Sequence, residues 1–253
     1  MMETPQSKLQ DDEYCFPYHY VTQFREGRFT QHFVDTWGIN YAITLSFLLE
    51  RLNQLAPSSI VDIGCGDGRL TREISFFPFV NSLLGIDYSE RAINLASAMN
   101  PDRANLQFCA LDINSSRDHL KYDAVLLIEV FEHIPLDMAA NFIRSVHSYL
   151  KPGGKLLLTV PHVNKPVEYK HYQHFSTTSL APYFFGLFNI DNFVPFEKSG
   201  RIRDALNWLL CNRYFVLNSR RLQASIFEFH RKYLFHCADE SNCQRLYLEA
   251  TAI

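Results

Sequence analysis

Five short runs of apolar residues punctuate the first two-thirds of the chain: SSIVDIGC (58–65), SLLGID (82–87), LQFCALD (106–112), YDAVLLIEV (122–130) and GKLLLTVP (154–161). Each is apolar almost throughout rather than alternating, which is the pattern of a strand buried on both faces. Between them lie stretches of helical period, RLTREIS, SERAINLASAMN and PLDMAANFIRSVHSYL. The last is closed by Lys151-Pro152-Gly153-Gly154, a helix stop signal. Upstream, TQHFVDTWGINYAITLSFLLERLNQL (30–55) reads as one long amphipathic helix, and downstream FNIDNFVPF and QRLYLEATA read as two further strands. Strand and helix in alternation predict an α/β fold, a mostly parallel sheet with helices on both faces.

Composition narrows the class without naming a function. The 253 residues are 47% hydrophobic and 20% charged, ordinary for a globular chain with an ample core. A formal net charge of -3 argues against bulk binding to DNA and disfavours RNA. No apolar run reaches the roughly 18 residues of a membrane helix, and MMETPQSKLQDDEY lacks a leader pattern. Six scattered cysteines, with no C-x-x-C pair, fit reduced thiols in the cytoplasm.

The candidate chemistry begins straight after the first strand, where Gly64, Gly66 and Gly68 alternate in VDIGCGDGRL. A glycine-rich turn between a strand and a helix admits a ligand close to the backbone, because no Cβ intervenes. The dinucleotide spacing G-x-G-x-x-G is absent, since Arg69 follows Gly68. The tighter G-x-G-x-G loop, preceded by Asp62, suits a smaller nucleoside with a polar amino-acid tail. Asp87, at the tip of the next strand, is placed to accept from two ribose hydroxyls, and Asp112, ending the third, to receive an adenine amine.

Taken together, Asp62 to Gly68, Asp87, Asp112, the YDAVLLIEVFEHI segment and LKPGGKLLLTVP resemble the class I S-adenosylmethionine-dependent methyltransferases, in the family's order over about residues 55 to 180. The resemblance implies a Rossmann-like sheet of seven strands, the last antiparallel. It implies S-adenosyl-L-methionine as cofactor, its methionine end over Asp62, Gly64, Cys65, Gly66 and Gly68 with Glu129 nearby. Ribose would lie at Asp87 and Tyr88, and adenine near Asp112 and Ile113. The chain then divides into an N-terminal helical extension or lid (1–55), a cofactor-binding core (56–194), a helical insertion (195–243) and a final strand (244–253), all within one domain.

Residues following the fourth and fifth strands face the transferred methyl group: Glu129, Glu132, His133, then His162, then His171 and His174 in HYQHFS. Glu129, Glu132 and His133, at i, i+3 and i+4, share a face if the segment is helical. One use of the cluster is a base or positioning donor for a hydroxyl acceptor, with His174 chosen over His171 and supported by His133 and Glu129. The other is a divalent metal held by Glu129, Glu132, His133 and His174. That second set is similar to the metal-dependent small-RNA 2′-O-methyltransferases, from which the Lys151–Gly154 turn departs. The plain alternative is a hydrogen-bonded brace for the loop. His119, His147, His230 and His236 lack an acidic companion in register and read as solvated or core histidines.

Two segments flank this core. EYCFPYHYVTQF is either hydrophobic cover or a lid in which Tyr18, His19 or Tyr20 closes the pocket. Residues 195–243 are locally basic, fitting a solvated helical face, an acceptor cap, or contact with an anionic membrane surface. The reading is a cytoplasmic methyltransferase acting on an oxygen of a small molecule or glycan precursor. Its alternatives are a metal-dependent RNA 2′-O-methyltransferase and a catalytically silent cofactor-binding module.

Overall fold

The computed structural model describes residues 5, 23–25, 28–30, 36–100, 103–115, 120–212, 214, 215, 217 and 219–253. Tyr18, His19, Tyr20 and His119 lie outside the described residues. A short antiparallel hairpin, β1 (Gln23–Arg25) and β2 (Arg28–Thr30), precedes helix α1 (Thr36–Leu55). The chain then alternates through β3 (Ser59–Ile63), α2 (Arg69–Ile74), β4 (Ser82–Asp87), α3 (Glu90–Met99), β5 (Leu106–Ala110), β6 (Tyr122–Ile128), α4 (Leu136–Ser148) and β7 (Leu150–Pro161). After one short turn of helix, α5 (Thr177–Leu180), come β8 (Phe188–Lys198), α6 (Arg201–Leu210), α7 (Arg220–Tyr233) and β9 (Cys243–Ala252).

The seven strands β3 to β9 form one sheet in the order β5-β4-β3-β6-β7-β9-β8. β3 to β7 run parallel to one another, whereas β9 runs antiparallel to both β7 and β8. The central strands are apolar on both faces because both faces are covered. Val61, Val125, Leu127, Leu156 and Leu158 pack with Phe142, Ile143 and Val146 of α4. Their neighbours Ile60, Leu126 and Leu157 face the opposite layer with Ile43, Leu48 and Leu52 of α1 and Leu70 and Ile74 of α2. Leu210 and Phe235, from the segment read as an insertion, belong to that same layer.

Most boundary differences have local causes. Helix α1 starts at Thr36 rather than Thr30, because residues 28–30 pair as β2. The runs ending at 65 and 130 stop as strands at Ile63 and Ile128, where backbone at positive φ (Gly64, Glu129) turns the chain out of the sheet. α4 ends at Ser148, and Leu150 already pairs with Tyr122. Residues 151–154 therefore open β7, rather than lying wholly between helix and strand. The order reverses at β3, with β4 on one side and β6 on the other. A cleft opens at the carboxyl ends of the strands at such a switch point.

Candidate functional site

The loop after β3 is left-handed at all three glycines, with φ of 77°, 55° and 74° at Gly64, Gly66 and Gly68. Only glycine holds that conformation without cost. Two of them are also required from inside the protein: a Cβ on Gly64 would sit 2.3 Å from Val130 Cγ2, and one on Gly68 2.6 Å from Phe108 Cζ. The loop is pinned to β4, since Gly64 N and Cys65 N both donate to Ile86 O. Asp87 lies beneath it, accepting from Gly66 N at 3.0 Å and Ser89 N at 2.9 Å. The carboxylate strap fixes loop height relative to the β4 tip.

Above the loop lies a cavity of about 220 Å³. Its lining includes Asp62, Gly64, Cys65, Gly66, Asp67 and Glu129, and, from α1, Tyr41, Thr44, Leu45 and Leu48. Asp62 is fully buried and accepts from Thr71 Oγ1 at 2.7 Å; burial pushes its pKa up to about 6 despite that bond. Asp67, which sequence reasoning passed over, is buried. Its Oδ1 accepts from Arg69 N, while Oδ2 has no hydrogen-bond partner among the described residues. Burial raises its pKa as well. Gly68, Asp87, Tyr88, Asp112 and Ile113 are not in that lining. Tyr88 is exposed, Ile113 is a core residue, and Asp112 accepts from Asn114 N.

The far wall carries Glu132, His133, Lys165, Glu168, Lys170, His171 and Arg245. Glu129 is left-handed (φ 55°), and Phe131–His133 form a 3₁₀ turn. Glu129, Glu132 and His133 reach one cavity by this route and not by sharing an α-helical face. Glu132 is buried, with Oε2 unpartnered among the described residues; burial, then the neighbouring Glu129 charge, holds its pKa well above the carboxylate range. Glu129 Oε2 accepts from Arg245 Nε at 2.8 Å. Arg245 comes from β9 and also pairs with buried Glu197; nothing local in the sequence links it to Glu129.

His171 lines the cavity and His174 stands behind it. His174 Nδ1 lies 2.8 Å from Lys165 O, which can only accept, so Nδ1 carries the proton. His174 Nε2 therefore accepts from His171 Nδ1, at 2.8 Å, and the neutral His171 keeps its lone pair on Nε2. Burial, reinforced by His133, pushes the His171 pKa down to about 3, and burial lowers that of His174 too. His133 Nδ1 faces Lys170 O at 3.2 Å, which orients the second ring. Glu132, His133 and His171 offer ligand atoms within 4.8 Å of one another. This differs from the set anticipated from sequence: both His174 nitrogens are engaged, and one oxygen of Glu129 is held by Arg245.

Further histidines among the described residues lie outside the cavity lining. His162 is buried, donates from Nε2 to Glu240 at 2.9 Å and accepts from Asn164 N; it does not line the cavity. His147 stacks edge-on against Phe188, and His230 is fully buried.

A family profile described as "Methyltransferase domain" matches residues 40–222. Over 131 residues the chain is 24% identical to the small RNA 2′-O-methyltransferase of Rattus norvegicus, covering 47% of this chain and 33% of that protein. Over 121 residues it is 27% identical to the ubiquinone biosynthesis O-methyltransferase of Acinetobacter baylyi, covering 46% and 49%. It thus spans a third to a half of the length of these curated relatives. The crystal structure of the N-methyltransferase NodS from Bradyrhizobium japonicum WM9 with S-adenosyl-L-homocysteine superposes with a TM-score of 0.64. That match has 16% identity and covers 98% of this chain and 99% of that one.

Proposed function

The chain belongs to the methyltransferase-domain family, as a class I S-adenosylmethionine-dependent methyltransferase, and from that premise we propose that it methylates an oxygen of a small molecule or glycan precursor. The observation that carries the acceptor half of this reading is that Glu132, His133 and His171, the first and last of them buried, line one cavity with the glycine loop. The cofactor half rests on the loop itself and its acidic floor. S-adenosyl-L-methionine brings a sulfonium and an ammonium, and Asp62 and Asp67 are acidic groups suited to that charge. A cavity of about 220 Å³ is small for the whole cofactor and acceptor together. We assign the methionine end to it and the adenosine to the rim, with ribose at Asp87 beside Tyr88 and adenine at Asp112 and Ile113.

Methyl transfer is an in-line displacement: the acceptor oxygen forms a bond to the methyl carbon as the carbon–sulfur bond breaks, leaving the electron pair on sulfur. Much of the enzyme's task is alignment and exclusion of water. The hydroxyl proton must leave, and His171 Nε2 is a lone pair set to accept a hydrogen bond from it. A ring with a pKa near 3 is a weak proton store, so His171 orients the hydroxyl. Glu132, its Oε2 unpartnered among the described residues, is the carboxylate in the same wall to which we assign that proton. Lys165, Lys170 and Arg245 offset the local negative charge. A reducing, cytoplasmic setting belongs to the same proposal, on the six scattered cysteines with no C-x-x-C pair.

A second reading is favoured by the convergence of Glu132, His133 and His171: these residues could hold a divalent metal. The donor set fits, because both rings have Nδ1 on a backbone carbonyl or a further ring, the arrangement that orients metal-binding histidines. A bound metal would supply Lewis acidity to the acceptor hydroxyl. Elemental analysis of protein purified without an affinity tag separates the two readings, near-stoichiometric metal favouring the second.

The acceptor is tested with methyl-labelled S-adenosylmethionine and a fractionated cell extract. Label in small metabolites or glycan supports the proposal; label confined to RNA overturns it. Asp87→Ala should weaken cofactor binding by about 1–3 kcal/mol, as expected on losing a charged acceptor, and unchanged calorimetric affinity would remove Asp87 from the ribose role.

A further inference from the structure

The α6–α7 hairpin turns much of its apolar surface outward. On α7, Leu222, Phe229 and Tyr233 are exposed, while Ile226 between them packs against the layer of α1 and the sheet. The Phe229 and Tyr233 rings lie 5.2 Å apart. Ile202 of α6 joins these two rings in the wall of a groove of about 610 Å³, together with Lys198, Arg201 and Arg203. Farther along, Trp208 is 78% exposed and Tyr214 79%, with Leu209 and Phe215 exposed beside them in sequence. A helix that belonged only to the core would direct such residues inward, as Leu210, Leu234 and Phe235 are directed.

Charge is concentrated on the same segment. Residues 198–236 hold eight lysines and arginines (Lys198, Arg201, Arg203, Arg213, Arg220, Arg221, Arg231, Lys232) against Asp204 and Glu228, with Arg203 already bound to Glu197 and Arg231 to Glu228. That is a net of +6 in a chain of net -3, so the remainder carries -9. The exposed apolar residues thus sit on the most cationic part of an otherwise acidic molecule.

We propose that this hairpin docks the protein on an anionic bilayer surface, the aromatic and aliphatic side chains entering the headgroup boundary and the cations meeting anionic lipid. Aromatic residues at the water–hydrocarbon boundary and flanking arginines are the pattern of an amphipathic interfacial segment. Basic groups near such a surface are attracted to its negative potential, and the acidic remainder of the chain is repelled, which sets orientation. The proposed contact is peripheral; no helix among the described residues is long and apolar enough to cross a membrane. α1 packs against both α6 and α7 and also lines the cavity, which places the docked face one helix away from the reaction site.

The test uses the whole chain and vesicles of phosphatidylcholine, alone or with about 30% phosphatidylglycerol, in a cosedimentation assay. Binding is expected with the anionic vesicles only, and it should fall as salt is raised. Arg221→Ala should weaken it roughly 5-fold, and the pair Trp208→Ser and Leu209→Ser roughly 10-fold or more. S-adenosylmethionine affinity of each variant, measured by calorimetry, verifies that the fold is intact and separates this proposal from the methyl-transfer reading. Absence of binding, equal binding to both vesicles, or variants that bind as wild type overturns it. So does self-association in sedimentation that Trp208→Ser abolishes, with no vesicle binding, since the face would then belong to a second copy.

Discussion

Glu129 and Glu197 both hold a left-handed backbone, with φ of 55° and 61°, and the guanidinium of Arg245 lies between their carboxylates. A non-glycine residue in that region is strained by about 1–3 kcal/mol and persists only where its surroundings hold it. Here the holder is one arginine on β9, itself mostly buried. Glu197 also accepts from Arg203 of α6 at 2.7 Å and Asn40 of α1 at 3.2 Å. The cavity wall, the edge strand and the helical hairpin are therefore joined through charge.

Removing Arg245 should thus be costly for stability. Arg245→Met keeps much of the volume but leaves Glu129 and Glu197 without their shared cation, and breaking a buried pair costs about 3–5 kcal/mol. Urea unfolding checks this; a loss below about 1 kcal/mol would show that the network contributes little.

Gly64 offers a separable pair of effects. Gly64→Ala should destabilise through left-handed strain, about 1–2 kcal/mol, and through the clash with Val130. Adding Val130→Ala removes the clash but not the strain. The double variant is expected to recover part of the loss in thermal unfolding. Full recovery would mean that the positive φ carries no cost.

Much of this architecture was legible before any coordinates. The sheet and its partner helices follow from doubly buried apolar runs and their spacing, and the glycine loop from composition at one strand end. Arg245 was not legible. It alternates with Tyr247 and Glu249 along β9, a polar row that resembles a solvent face. In the fold that row is covered: Glu249 is buried and pairs with Arg51 of α1, and Tyr247 packs edge-on to Phe47. No local pattern reports a layer supplied by residues two hundred positions away. The ranking of His174 over His171 turned on the same kind of fact, since a backbone carbonyl at Lys165 decides which ring faces inward.

The place of His171 in the cavity lining, with His174 behind it, gives a kinetic prediction. His171→Ala should lower kcat by roughly 10²–10³ with cofactor affinity near normal, because it removes the ring that lines the cavity and is proposed to orient the acceptor. His174→Ala acts one bond farther out and should cost roughly 10–100-fold. His174→Gln, which keeps a donor and an acceptor, should recover part of that loss. The opposite order, with His174→Ala the more damaging, would return the reacting position to His174.

His230 should shape the acid side of the stability profile. It is fully buried on α7, with neither ring nitrogen partnered among the described residues. Burial, and secondarily the Arg203 charge, pushes its pKa down to about 4 from 6.5. The ring is neutral in the folded chain at pH 5, whereas an unfolded chain takes up a proton there. The unfolded state then binds more protons, so stability rises with pH across this window and falls as pH drops from about 6.5 toward 4. The slope for one group approaches about 1.4 kcal/mol per pH unit. Above pH 7 both states are neutral at this ring and the contribution is flat. His230→Leu removes the titration and the unpartnered nitrogens together. Its loss of stability between pH 7 and pH 5 should be smaller than that of wild type in matched urea titrations, with no penalty at pH 7 beyond about 1 kcal/mol for the altered shape. An identical acid slope in both proteins would show that His230 is protonated in the folded state and that its burial is relieved by another route.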